Sequence, residues 1–261
     1  LSRGDFHLHT RYCDGIATPA AMAAAAVAGG LTALGFSGHS YTFFDESWCM
    51  SLSGTAEYRR AVAEVKKTYA SQLDILCGVE QDYYSAEATE GYDYVIGSVH
   101  YLLRDGEYLP VDESPGHLRR AAEKHYGGDI LALAEDYFHT VAHVPEIPGC
   151  TVIGHFDLIA KFNEREPLFD EEEPRYISAW QTSADRLLSS GLPFEINTGA
   201  IARGYRSVPY PAPKMLRYLG ERGARFLLSS DSHRPDTLCF GFDSWRREAE
   251  ALGCTFIDSP L

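Results

Sequence analysis

The sequence predicts an α/β protein built as a β/α barrel, with helices outside a parallel sheet. Three observations carry that expectation. The chain has 261 residues, a length at which an α/β barrel is usually one domain. Short apolar runs rich in Ile, Val, Leu and Phe alternate with helix-like segments throughout, as strands buried on both faces do. No repeat, low-complexity tract or linker divides the chain, so residues 1–261 are expected to form a single domain.

The first apolar run covers residues 4–8. Thr18 then reads as an N-cap with Pro19 at the first helical position, and the alanine-rich helix that follows stops at Gly29 and Gly30. Residues 33–37 form the second strand, and Thr55 is expected to cap a helix running through Tyr69. Strands over 74–79 and 94–99 come next. Amphipathic helices over 129–144 and 175–190 flank a strand at 151–154. A strand at 193–196, a helix over 213–222 ended by Gly223, a strand at 224–229 and a helix over about 244–252 complete the alternation. Residues 255–257 offer an eighth strand. Gly127 and Gly128, and the acidic run 170–173, read as loops. Seven or eight such units favour a closed barrel over an open sheet.

Composition excludes several partners. Lys plus Arg number 23 and Asp plus Glu 37, a net charge of −14. A chain this acidic lacks the positive field that holds a nucleic-acid backbone or an anionic membrane surface. No apolar stretch approaches the roughly 20 residues of a spanning helix. The opening Leu1-Ser2-Arg3-Gly4-Asp5 does not resemble a secretory signal. Six cysteines lie scattered without a Cys-x-x-Cys, which fits reduced thiols in a cytoplasm.

The histidines carry the functional signal. Of ten, six stand at or just beyond the end of an expected strand: His7, His9, His39, His100, His155 and His233. A further strand ends in Glu80, and Asp231 precedes His233 by two. In a β/α barrel those strand ends converge on the active-site face. Imidazoles and carboxylates gathered there are what divalent transition metals require. Each residue alone would read as structural, but six coinciding at one structural position point to a multinuclear metal site.

His7-Leu8-His9-Thr10 with Cys13-Asp14-Gly15, Gly38-His39, Gly78-Val79-Glu80, Gly97-Ser98-Val99-His100, Gly154-His155-Phe156-Asp157 and Ser230-Asp231-Ser232-His233 follow one another in order. Together they resemble the successive motifs of the polymerase and histidinol phosphatase (PHP) superfamily. The likeness spans residues 5–243. Within the superfamily the chain most resembles histidinol-phosphate phosphatases, through residues 154–159 and through Glu195-Ile196-Asn197-Thr198 with Tyr210-Pro211 further on.

The resemblance implies a distorted seven-stranded, TIM-like (β/α)7 barrel with a trinuclear centre of zinc, iron or manganese. His7, His9, Glu80 and Asp231 would hold one ion. Glu80 would bridge to a second, completed by His100 and His155, and Asp14, His39 and His233 would hold the third. A water shared by two cations loses its proton near neutral pH and can attack a phosphomonoester in line. Lys161 and Arg203 are the expected phosphate clamp, with Arg206 as a substitute, and Asp231 and His233 the expected proton shuttles. The expected partner is a small phosphorylated metabolite, most directly L-histidinol phosphate, and not a nucleic acid or a membrane.

Other features compete less well. His139 and His143 have the i, i+4 spacing that binds zinc on a helix, but Thr140 stands where a metalloprotease carries its Glu, and the helix belongs to the outer ring. His117 and His125 read as surface. The first strand has no dinucleotide-type Gly-rich loop, and no Gly-x-Ser-x-Gly elbow occurs. A PHP-type nuclease or nucleotide phosphatase, and a noncatalytic metal-binding module, are the alternatives; a full ligand set weighs against the second.

Overall fold

The computed structural model describes residues 4–261. The chain alternates strands and helices in the order β1 (Gly4–Asp5), α1 (Pro19–Ala28), β2 (Ala33–Phe36), α2 (Leu52–Thr68), β3 (Asp74–Asp82) and β4 (Tyr94–Ser98). There follow β5 (Tyr101–Arg104), β6 (Glu107–Pro110), α3 (Pro115–His125), α4 (Ile130–Val141), β7 (Val152–Ile153), α5 (Pro174–Leu188) and β8 (Phe194–Asn197). The last elements are α6 (Gly199–Ala202), α7 (Pro213–Gly220), β9 (Arg225–Ser229), α8 (Phe242–Ala251) and β10 (Thr255–Phe256).

Local chemistry sets most boundaries. Thr18 Oγ1 accepts from the Ala21 N–H at 3.1 Å and Pro19 opens α1, while Gly30 takes a left-handed φ of 74° just past its end. The cap of α2 is Ser51, which accepts from the Gly54 N–H at 3.0 Å. Thr55, the expected cap, lies a turn inside and donates to the Ser51 carbonyl instead. Asp129 caps α4 as a carboxylate accepting two backbone N–H groups.

The main sheet has eight parallel strands in the order β1-β2-β3-β4-β7-β8-β9-β10, one more than the seven the family resemblance implies. The extra strand has a specific place. β10 pairs with β9 at Arg225 and Phe226, near the start of that strand. Farther along, the chain beyond β9 meets the chain beyond β1: Leu8 bridges Ser232, the His9 N–H donates to Ser232 O at 2.9 Å, and the Ser232 N–H donates to His7 O at 3.1 Å. The sheet therefore curls until its two flanks touch at the end where the histidines lie.

Phe6, Ala33, Leu76, Tyr94, Ile96, Val152 and Leu227, drawn from strands around the curl, form one small buried cluster inside it. Tyr94 donates its hydroxyl to Phe6 O at 2.6 Å, tying the strands together from within. Gly78 makes room for that ring, since a Cβ there would lie 2.4 Å from it. A much larger cluster packs the helices on the outer face.

The hairpin β5–β6, α3 and the short α6 were not anticipated. β5 and β6 form an antiparallel hairpin closed by Asp105 and Gly106, both at positive φ, as a two-residue turn of matching twist requires. α3 follows, capped by Ser114 with Pro115 at its start. No helix among the described residues is long and apolar enough to cross a membrane.

Candidate metal centre

The expected site residues meet at the C-terminal ends of the strands. β3 runs farther than its apolar pattern suggests, so Glu80 sits within it, 1% exposed, rather than beyond it. Five imidazoles close on its carboxylate. His7 Nε2 lies 3.1 Å and His9 Nε2 3.4 Å from Oε2, and His39 Nδ1 lies 2.9 Å from the same oxygen. His155 Nε2 is 2.9 Å and His100 Nε2 3.4 Å from Oε1. Burial would raise the pKa of Glu80, but the charge of His7, His39 and His100 overrides it and holds the carboxyl well below its usual range.

Asp231 enters from beyond β9. Its Oδ1 lies 3.2 Å from His9 Nε2 and 3.7 Å from His233 Nδ1. The residue holds a left-handed φ of 50°, a conformation that aspartate tolerates better than most side chains. Asp14 Oδ1 is 3.6 Å from His39 Nε2 and 3.7 Å from His9 Nδ1, and its Oδ2 is 3.1 Å from His233 Nε2. His9 stacks on His39 at 4.1 Å and on His233 at 4.2 Å. Burial first, then these charged neighbours, push His9 down to about 3. A neutral imidazole results, which is the form that ligates metal.

The donor atoms fit bound cations on a direct observation. His7 Nε2, His9 Nε2, His39 Nδ1 and Glu80 Oε2 are buried and have no hydrogen-bond partner, although all face one another. Buried polar atoms are normally satisfied, and lone pairs converging on a shared point are the arrangement a divalent ion needs. Three overlapping groups have donors within 4.8 Å of one another: His9, Asp14, His39 and His233; His7, His9 and Glu80; and His39, Glu80 and His100. These groups contain seven of the nine expected ligands, and the other two adjoin them, His155 at 2.9 Å from Glu80 and Asp231 at 3.2 Å from His9.

Buried carboxylates hold the rings from behind. His7 Nδ1–H donates to Glu195 Oε2 at 2.8 Å, while Glu195 Oε1 accepts from the His155 N–H at 2.5 Å and from Asn197 Nδ2 at 3.0 Å. His100 Nδ1 lies 3.3 Å from Asp82 Oδ2. Such partners fix ring orientation and tautomer. Neither Glu195 nor Asp82 was singled out as a site residue, yet Asp82 stands two places after Glu80 on the same strand face, a legible spacing.

The cluster opens into a cavity of about 410 Å³ that Lys161 and Arg203 also line. Lys161 Nζ donates to Asp112 O at 2.8 Å and to its Oδ2 at 3.0 Å. Arg203 is tied to the cluster itself, donating to Asp231 O at 2.8 Å and to Asp231 Oδ2 at 2.9 Å. Gly199 permits this approach, since a Cβ there would lie 2.9 Å from the guanidinium. Arg206 is elsewhere: 3% exposed at its side chain, it pairs with buried Asp157 at 3.0 Å. His125 is not a surface residue, because its side chain is 3% exposed between Asp105 and Glu107. His139 lies on α4 and His143 beyond its end, donating Nδ1–H to His139 O at 2.7 Å, away from the cavity.

A PHP domain model matches residues 5–199, which cover most of the strand-end ligands. The chain belongs to the PHP domain family. The PHP chain is 32% identical over 260 residues to a protein of Deinococcus radiodurans named probable histidinol-phosphatase, covering 95% of this chain and 93% of that one. A Schizosaccharomyces pombe protein of the same name is 31% identical over 213 residues, covering 76% and 66%. In fold, the PHP chain superposes with a TM-score of 0.75 on a histidinol phosphate phosphatase of Lactococcus lactis crystallised with zinc, L-histidinol and phosphate, at 18% identity and covering 98% and 95% of the two chains.

Proposed function

We propose that this chain is a metal-dependent phosphomonoesterase that hydrolyses L-histidinol phosphate to L-histidinol and phosphate. The observation that carries the reading is the unpartnered, buried convergence of imidazoles on Glu80, in a chain whose relatives bear the histidinol-phosphatase name.

In this reading three divalent transition-metal ions, of zinc, iron or manganese, share the nine side chains. His7, His9, Glu80 and Asp231 hold one; Glu80, His100 and His155 a second; Asp14, His39 and His233 the third. When bound, such ions lower the pKa of water and neutralise phosphoryl oxygens. The protein's own groups do the rest. Glu195 and Asp82 hold His7 and His100 in fixed orientations. Lys161 and Arg203, facing the same cavity, hold phosphoryl oxygens by charge-assisted hydrogen bonds. Asp231 and His233, side by side at the cavity, would pass to the departing alkoxide oxygen the proton taken from the attacking water.

The whole of residues 1–261 acts as one domain. All six cysteines are free, which supports work in the reducing cytoplasm. The net charge of −14 disfavours a polyanionic substrate and suits a small phosphate entering a locally cationic pocket.

Phosphate release tests the proposal. Purified, metal-loaded protein is expected to turn over L-histidinol phosphate with a kcat/KM at least ~10²-fold above that for nucleoside monophosphates, a modest gap for a site built around one alcohol. Equal rates on both would remove the substrate assignment.

A further inference from the structure

Asp5, the last residue of β1, is fully buried. Its Oδ1 accepts from the Ser230 N–H at 3.1 Å and its Oδ2 from the Cys239 N–H at 2.9 Å. Those two amides mark the two ends of the segment 230–239, which leaves β9 and carries Asp231 and His233. Between them, Ser232 pairs with the backbone of His7 and His9, just beyond Asp5. One buried side chain therefore holds both ends of the segment against β1.

The backbone is strained at both anchors. Three non-glycine residues among those described have a positive φ, and two of them stand at these bonds. Asp231, at 50°, follows Ser230, and Cys239, at 53°, is itself the second donor. The third, Asp105, lies in the hairpin turn, which requires that conformation. A left-handed residue other than glycine persists only where its surroundings hold it. Arg203 grips the Asp231 carbonyl from the cavity side, and Asp5 restrains the segment from within the sheet.

The segment sets the reach of its own side chains. Asp231 Oδ1 lies 3.2 Å from His9 Nε2, and His233 Nε2 lies 3.1 Å from Asp14 Oδ2. Relaxation of the backbone at either anchor carries those donor atoms away from the cluster. Asp5 does not line the cavity, so its action runs through the backbone.

We propose that Asp5 is a positioning residue: by fastening both ends of 230–239 to β1, it presets Asp231 and His233 for metal before an ion binds. The inference rests on the reading of those two residues as ligands and deepens it.

The test combines Asp5→Asn with Cys239→Gly, with metal affinity measured by chelator competition on stripped protein. Asparagine keeps the size of the side chain but offers one oxygen, so one anchor is lost. Affinity should fall about 10- to 100-fold, as for loss of other groups that orient ligands. Glycine adopts a positive φ at no steric cost. With it at 239 the turn needs no bond there, and the asparagine oxygen is left for Ser230. Cys239→Gly alone should bind metal as wild type does, and the double variant should recover most of the affinity that Asp5→Asn loses. A carboxylate serving only the stability of the fold would give no such recovery. Amide exchange in stripped wild-type protein needs no variant and decides the matter where Asp5→Asn does not fold. The Ser230 and Cys239 N–H groups should exchange at least ~10²-fold more slowly than unstructured amides. Wild-type protein that binds no ion overturns the functional reading and this inference with it. Undiminished affinity in Asp5→Asn, a double variant no better than Asp5→Asn, or unprotected Ser230 and Cys239 amides overturns the inference alone.

Discussion

Glu195 and His7 are both fully buried and joined by a 2.8 Å hydrogen bond from His7 Nδ1 to Glu195 Oε2. The bond occupies His7 Nδ1 and aims Nε2 at Glu80, 3.1 Å away. Burial would raise the pKa of Glu195, but the charge of His7 and the bond itself hold it below the usual carboxylate range. Glu195→Gln keeps the shape and removes the charge. Metal affinity should fall about 10- to 100-fold, the usual cost of losing such a supporting partner. Competition titration against a chelator measures it, and unchanged affinity would show that Glu195 does not tune the centre.

Glu80 is the one carboxylate that five imidazoles approach. Glu80→Gln preserves volume but removes the charge that holds cations together. Fewer ions per chain and a turnover loss of at least ~10² are expected. Elemental analysis beside the assay checks both in one preparation.

Lys161 and Arg203 should part company. Lys161→Ala removes a phosphate contact and should cost about 2–4 kcal/mol in kcat/KM, partly through KM, with metal content unchanged. Arg203 also grips Asp231 by its carbonyl and its carboxylate, so Arg203→Ala should lower metal content as well as kcat. Identical behaviour of the two variants would contradict this division.

Arg206 belongs to stability. Its side chain and that of Asp157 are 3% and 0% exposed, and burial pushes the Asp157 carboxyl up while Arg206 opposes that shift. Arg206→Ala strands an uncompensated buried carboxylate and should cost about 3–5 kcal/mol of folding stability. Denaturant unfolding measures it, whereas the KM of the surviving enzyme should stay close to wild type.

The meeting of these side chains was legible because it is local: the histidines follow apolar runs, and strand ends converge by the geometry of the fold. The roles of the cations were not. Arg206 looks like a clamp in sequence, since its partner Asp157 lies 49 residues away, and only the folded chain brings them together. A separation of 28 residues likewise hides Arg203 from Asp231. The hairpin β5–β6 carried a local signal, Asp105-Gly106 between apolar residues, but it interrupts the β/α alternation that organised the rest. The eighth strand was anticipated as residues 255–257, while the seven-strand expectation came from the family likeness. Thr55 yielded to Ser51 because both can cap, and only the position of the first turn decides.

The central claim is that the histidine cluster works as a metal centre hydrolysing L-histidinol phosphate. Chelator-stripped protein titrated with zinc, iron(II) or manganese(II), with bound ions counted and phosphate and L-histidinol release followed at each point, tests it most directly. The account predicts no turnover in the stripped protein, saturation near three ions per chain for at least one metal, and equimolar release of both products as the sites fill. Full turnover by the stripped protein, or no release at any metal loading, would contradict it.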